Sequence, residues 1–133
     1  MISVNARYMF SVSGIPMSQG SMSVFNGRIV HQKTKPLMAW RSIIYEACRD
    51  HMEPLEGPVK VHVTFRMPEP KKHSRRWPHV RPDVDKLARA CLDGLTGAAF
   101  ADDCQVVDLR ACKIYGEPGA DLIIESLENT LYG

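Results

Sequence analysis

Arg81-Pro82-Asp83-Val84-Asp85-Lys86-Leu87-Ala88-Arg89 carries the start of a helix, and what flanks it sets the architecture. Pro82 pushes Arg81 out of the helical region of backbone space. Asp83 is a good N-cap, and Asp85 falls in the first turn, where the helix dipole favours a carboxylate. The helix runs from about Asp83 to Leu95, with Val84, Leu87, Cys91 and Leu95 as its buried stripe and Gly94 and Gly97 marking its end. Upstream, Pro58 to Arg66 alternates: Val59, Val61, Val63 and Phe65 on one face, Lys60, His62, Thr64 and Arg66 on the other. That is a half-buried strand, and it leaves His62 on a solvated face. Downstream, Val106 to Tyr115 reads as another strand, closed by Gly116-Glu117-Pro118-Gly119.

The rest of the chain extends this strand–helix–strand unit. Residues 8–12 form a first strand, ending at Ser13-Gly14-Ile15-Pro16. Asn26-Gly27 between Ser23–Phe25 and Arg28–His31 signals a hairpin, because both central residues of a type I′ turn need positive φ. Thr34 and Pro36 open a helix to about Asp50, with Leu37, Trp40, Ile44, Ala47 and Cys48 at helical spacing. Trp40 therefore belongs to the core. Asp121 to Leu127 is a last, apolar strand. The order β, ββ, α, β, α, β, β predicts an α+β (mixed α/β) fold, a mixed β-sheet packed with two main helices, in one domain over residues 1–133.

A hydrophobic fraction of 44% and a charged fraction of 24% are those of an ordinary globular chain. Cys48, Cys91, Cys104 and Cys112 form no metal-spaced pair, and they read as small buried hydrophobes. With no signal-like start, reduced cysteines place the protein in the cytoplasm. No apolar run approaches the roughly 20 residues that cross a bilayer, so no membrane partner is expected.

Net charge is only +2, but it is unevenly spread. From Arg66 to Arg81, six cations (Arg66, Lys71, Lys72, Arg75, Arg76, Arg81) face one acid, Glu69, so that window alone is +5. Four prolines between Met67 and Pro82 (Pro68, Pro70, Pro78, Pro82) argue against regular structure. Trp77 sits among Arg75, Arg76 and His79. Cations for phosphates and an aromatic for a base or sugar are what a nucleic-acid surface uses. The plainer reading is a solvated loop whose Trp folds back onto the core.

The chemistry lies in two acidic clusters, Asp83/Asp85 and Asp102/Asp103. Residues two apart within a helix point about 200° apart. With Asp83 extended and Asp85 helical, both carboxylates can project past the helix start. Two or three carboxylates with substrate phosphate suit Mg²⁺, which would polarise the scissile phosphate and activate water. Adjacent residues on extended backbone point opposite ways, so only one of Asp102 and Asp103 would face such an ion, and spacing leaves open which. Arg89 shares a helix face with Asp85 and can meet charge building on phosphate. Asp93 is placed to brace Arg89, and Lys86 to touch DNA backbone. Without convergence of the acids, the same residues are an ordinary capped helix start and an ordinary turn.

Arg81 to Asp108 resembles the RusA family of Holliday junction resolvases, widespread in bacteria and their phages and prophages. The resemblance rests on Asp83-Val84-Asp85-Lys86-Leu87-Ala88-Arg89, Asp93-Gly94-Leu95 and Asp102-Asp103-Cys104-Gln105-Val106. It implies a homodimeric, Mg²⁺-dependent endonuclease, with Mn²⁺ as a substitute, that resolves four-way DNA junctions by paired symmetric nicks in recombination and repair. The family's catalytic and metal-binding aspartates fall on Asp83, Asp85 and Asp103, with Asp102 adjacent. Its lysine falls on Arg89, and Lys86 replaces a common Asn. Lys71, Lys72, Arg75, Arg76, Trp77, Arg81 and Lys86 would form the DNA surface. A protein that keeps the fold and binds branched DNA without cutting it is the alternative, and a flap nuclease is a third reading.

Overall fold

The computed structural model describes residues 4–18, 22–25, 28–31 and 35–131. The elements follow in the expected order. Strand β1 is Val4–Ser13, β2 Met22–Phe25 and β3 Arg28–His31; helix α1 is Lys35–His51, β4 Val59–Met67, α2 Val84–Leu95, β5 Val106–Tyr115 and β6 Gly119–Leu127. β2 and β3 pair antiparallel, Phe25 opposite Arg28. The Asn26-Gly27 turn expected between them, and the Thr34 start expected for α1, lie outside the described residues.

The main sheet has the order β1-β6-β4-β5. β6 runs antiparallel to both β1 and β4, whereas β4 and β5 are parallel. The parallel pair needs a long crossover, and α2 supplies it. β5 is an edge strand, and Val107 (65% exposed) and Leu109 lie open on it. β6 starts two residues earlier than Asp121, directly after the 116–118 turn.

One face of the sheet and both helices share a single core. Val59, Val61, Val63, Phe65 and Met67 of β4 are all buried, as the alternation required. Opposite them sit Leu37, Trp40, Ile44 and Cys48 of α1 and Leu87, Cys91 and Leu95 of α2. The other sheet face carries Lys60, His62, Thr64 and Arg66, all half-exposed. There Arg66 spans three strands: it pairs with Asp121, and donates from Nε to the Glu117 carbonyl at 2.8 Å and from Nη2 to the Val12 carbonyl at 3.3 Å.

Three details differ from expectation. Val84 is exposed, because α2 leans into the core only from Leu87 onward, where Ala88 and Ala90 join the buried face. Gly94 lies inside the helix and does not end it: a Cβ there would stand 3.1 Å from the Arg41 carbonyl and 3.2 Å from Ile44, so it sets how closely the helices approach. Gly97, at φ +92°, takes the left-handed position just after the helix. Finally, Cys48 and Cys91 are buried, but Cys104 and Cys112 are exposed, since one lies in a surface turn and the other on the open sheet face. Burial pushes the Cys48 thiol up to about 11 and Cys91 to about 12, which leaves them inert. Among the described residues no helix is long and apolar enough to cross a membrane.

Candidate active site and nucleic-acid surface

The first acidic pair lies at the start of α2. The N-cap Asp83 is extended (φ −70°, ψ 141°), and its carboxylate makes no capping bond to the helix. It keeps lone pairs for another partner, unlike an ordinary N-cap. Asp85 sits in the first turn, and both side chains are exposed. Lys86 is exposed, and its Nζ reaches back to Asp83 Oδ2 at 3.7 Å. Arg89 is exposed on the same helix. The brace expected from Asp93 is absent, because α1 packs alongside and Arg41 takes that carboxylate at 3.0 Å.

Lys113, to which the sequence pattern gave no role, is half-buried on β5 and donates from Nζ to the carbonyls of Val80 and Pro82, each at 2.8 Å. It fixes the backbone that leads into Asp83, through a cis Arg81–Pro82 peptide. The signal was faint: one lysine in a strand position that pairs with buried Phe65.

The second acidic pair precedes β5. Asp102 caps a short 3₁₀ turn, Asp103–Gln105, and accepts from the Cys104 amide at 2.9 Å. That backbone bond holds its carboxyl below the usual carboxylate range. Gln105 locks the turn in place. Its Oε1 accepts from the amides of Ala101 (3.0 Å) and Asp102 (3.2 Å), while its Nε2 donates to the carbonyls of Leu55 (2.9 Å) and Gly57 (3.0 Å). Asp102 is thus occupied, and Asp103, exposed beside it, is the freer carboxylate.

The two pairs do not meet within one chain. α2 has 12 residues and carries the chain about 18 Å from its Asp83 end to Leu95. The register of β5 agrees: the Asp83 end lies by Lys113, whereas Asp103 lies by Val106, seven residues or about 23 Å down the strand. Among the described residues no group of three or more His, Cys, Asp or Glu side chains is placed to hold a metal ion. Asp83, Asp85 and Asp103 are thus not gathered into one group among the described residues of a single chain, in keeping with a parallel crossover that carries its chain to the opposite end of the strands.

The basic loop stands beside the first pair. Trp77 is 56% exposed, with the Arg76 guanidinium 5.4 Å from its ring centre, so it does not fold back onto the core. Buried Pro78 anchors the loop instead. Lys71, Lys72, Arg76 and Arg81 are exposed. Arg75 is half-buried and donates from Nε to the Tyr115 hydroxyl at 3.0 Å, which spends part of it on holding the loop.

An exposed carboxylate pair at a helix start, bordered by exposed cations and an aromatic, is the kind of surface that a nuclease turns to a phosphodiester polyanion. The sequence model for endodeoxyribonuclease RusA matches residues 14–125, and the chain belongs to that family. It is 27% identical over 135 residues to the "Uncharacterized protein YqaN" of Bacillus subtilis (strain 168), a match covering 89% of this chain and 95% of that one. It is 43% identical over 61 residues to the crossover junction endodeoxyribonuclease RusA of Escherichia coli (strain K12), and equally to that of Shigella sonnei (strain Ss046). Those matches cover 45% of this chain and 43% of each relative.

Proposed function

We propose that this chain is a divalent-metal-dependent endonuclease that resolves four-way DNA junctions, working as a homodimer in which each protomer nicks one of two equivalent strands. The observation that carries the reading is the exposed Asp83/Asp85 pair, with Asp83 held only by a long surface ion pair to Lys86, beside the exposed cations Lys71, Lys72, Arg76 and Arg81. The family relationship supplies the substrate class, since its relatives in Escherichia coli and Shigella are crossover junction endodeoxyribonucleases.

Two oxygen donors on one helix start fit Mg²⁺, which is usually held by one or two carboxylates, several waters and substrate phosphate. Mn²⁺ would substitute. Asp83 and Asp85 would hold the ion, which supplies a Lewis acid for the scissile phosphate. Asp103 is the third ligand in this reading, in preference to Asp102, whose carboxylate caps its own turn. Because the chain separates Asp103 from the pair, Asp103 of one protomer completes the site of the other. The free edge of β5, which follows directly on the Asp103 turn and leaves Val107 and Leu109 in solvent, is surface that a second protomer would cover. A closed two-fold dimer then carries two shared sites at fixed separation, matching the two-fold symmetry of a four-way junction.

The remaining residues act around the phosphate. Arg89 offers a fixed positive charge to the phosphate oxygens, and being permanently protonated it cannot serve as a general base. Lys86 screens Asp83 and releases it when phosphate arrives. Trp77, Arg76, Lys71 and Lys72 grip a DNA arm, with the sites acting in the cytoplasm on recombination intermediates.

The second reading, a branched-DNA binder without nuclease activity, is favoured by one observation, Arg89 at the family's lysine position. Incubating the protein with a synthetic four-way junction, a flap and a linear duplex, with and without Mg²⁺, separates the readings. Paired nicks in the junction only, and only with Mg²⁺, are the expected result. Tight binding with no nick in Mg²⁺ or Mn²⁺ would establish the second reading.

A further inference from the structure

Above the carboxyl ends of the two parallel strands β4 and β5 lies a cavity of about 400 Å³. In open α/β sheets, crevices at the carboxyl ends of parallel strands take ligands, and β4 and β5 are the parallel pair of this sheet. Its walls are largely apolar, built from Met17, Met67, Pro78 and Tyr115. Its polar lining comes chiefly from Arg75, already turned onto the Tyr115 hydroxyl, and from exposed Arg81 at the edge. Arg81 stands two residues before Asp83, so the cavity adjoins the acidic pair.

We infer that this cavity receives one unstacked nucleobase of the junction, the base next to the scissile phosphate. The inference rests on the resolvase reading. The cavity's size is within the range of small-ligand pockets. Proline and tyrosine faces suit a flat aromatic guest, and stacking of this kind tolerates any base. The Arg81 guanidinium at the edge meets the phosphate attached to that base. Extruding a base costs less where stacking is already interrupted, and the exchange point of an open four-way junction, although paired, is such a point. A base held there fixes its own phosphate beside Asp83 and Asp85, which makes the cavity a device for selecting branched over linear DNA.

The test uses the full-length protein. Junctions carrying single 2-aminopurine substitutions, one at each of the two nucleotides on either side of the cut, are bound without divalent cation, so nothing is cut. Fluorescence is expected to change on binding at one of these positions and not in a linear duplex. Silence at every position, with the junction bound, overturns the inference and leaves the resolvase reading intact. Failure to bind or nick any junction sinks both. A second arm fills the cavity with Ser18→Trp, or with Met17→Trp if the first does not fold. Either variant is expected to cut an intact junction about 10-fold more slowly than wild type, a factor set by the loss of one stacked base. On a junction made abasic at the responsive nucleotide, variant and wild type are expected to cut at equal rates. An equal loss on both substrates, or no loss on either, overturns the inference.

Discussion

The shared site can be tested by mixing two inactive proteins. Ligands of one Mg²⁺ lie at most about 4 Å apart, because each metal–oxygen bond is about 2.1 Å. The register of β5 sets the Asp83 end, by Lys113, about 23 Å along the strand from Val106, beside the Asp103 turn. Asp83→Asn and Asp103→Asn should each lower junction nicking by about 100-fold or more, since each removes an oxygen that helps hold several kcal/mol of transition-state stabilisation. In a dimer with one protomer of each kind, both lesions fall in the same shared site, and the other site is wild type in every residue. Random mixing places half the molecules in such dimers, each with one good site, so about a quarter of wild-type sites return. The assay is first-strand nicking of a labelled junction after the two proteins are unfolded together and refolded, against each variant treated alone. Recovery from neither to about a quarter is the expected result. No recovery, with mixed dimers shown to form by differently tagged chains, would mean that Asp103 serves its own chain or no site at all.

Lys113→Met should slow single-turnover nicking about 10- to 100-fold with junction affinity unchanged, since it frees the backbone that presents Asp83, and Lys113→Arg should restore part of the rate; equal rates in all three proteins would refute the role. Replacing Lys71, Lys72 and Arg76 with Ala should weaken junction binding and flatten its salt dependence by about three contacts, read from Kd against salt concentration. Arg75→Ala, by contrast, should chiefly loosen the loop, seen as faster proteolysis between Glu69 and Val80. Asp121→Asn should destabilise the fold by about 1 kcal/mol at neutral pH in urea titration, a figure discounted for the half-exposed carboxylate. The Arg66 guanidinium first, and the Ser11 hydroxyl second, hold the Asp121 carboxyl below its usual range. Its contribution is present above the unfolded value of about 3.9 and is lost as pH falls through the lower folded value, so the two proteins should converge in strong acid.

Local patterns proved sufficient for the elements. The strict alternation from Val59 to Phe65 and the stripe Val84, Leu87, Cys91, Leu95 each have one period and one face, and all of these residues bury except Val84, at the helix start. Asp83 takes the extended N-cap position read for it, but the missing capping bond was not legible, since an N-cap Asp ordinarily makes one. Contacts between distant segments were not legible either. Asp93 reads as a partner for Arg89 only if α2 is considered alone; Arg41 lies 52 positions away, and no spacing announces it. The separation of Asp103 from Asp83 follows from β4 and β5 being parallel, a property of strand pairing that neither strand's own sequence encodes. Exposure of Cys104 and Cys112 depends likewise on which face and which turn they occupy once the sheet is assembled.

Gln105 is saturated: both lone-pair directions of its oxygen and both of its amide hydrogens are engaged with main chain from two separate segments. No substitute of the same shape can take over. A glutamate would press a negative oxygen against two carbonyl oxygens, and a methionine would orphan four backbone groups at once. Evolutionary drift at this neutral side chain would shift the acidic turn while leaving every charge near the cleavage chemistry unaltered, so inactivity in a descendant could originate at a position that never approaches a phosphate.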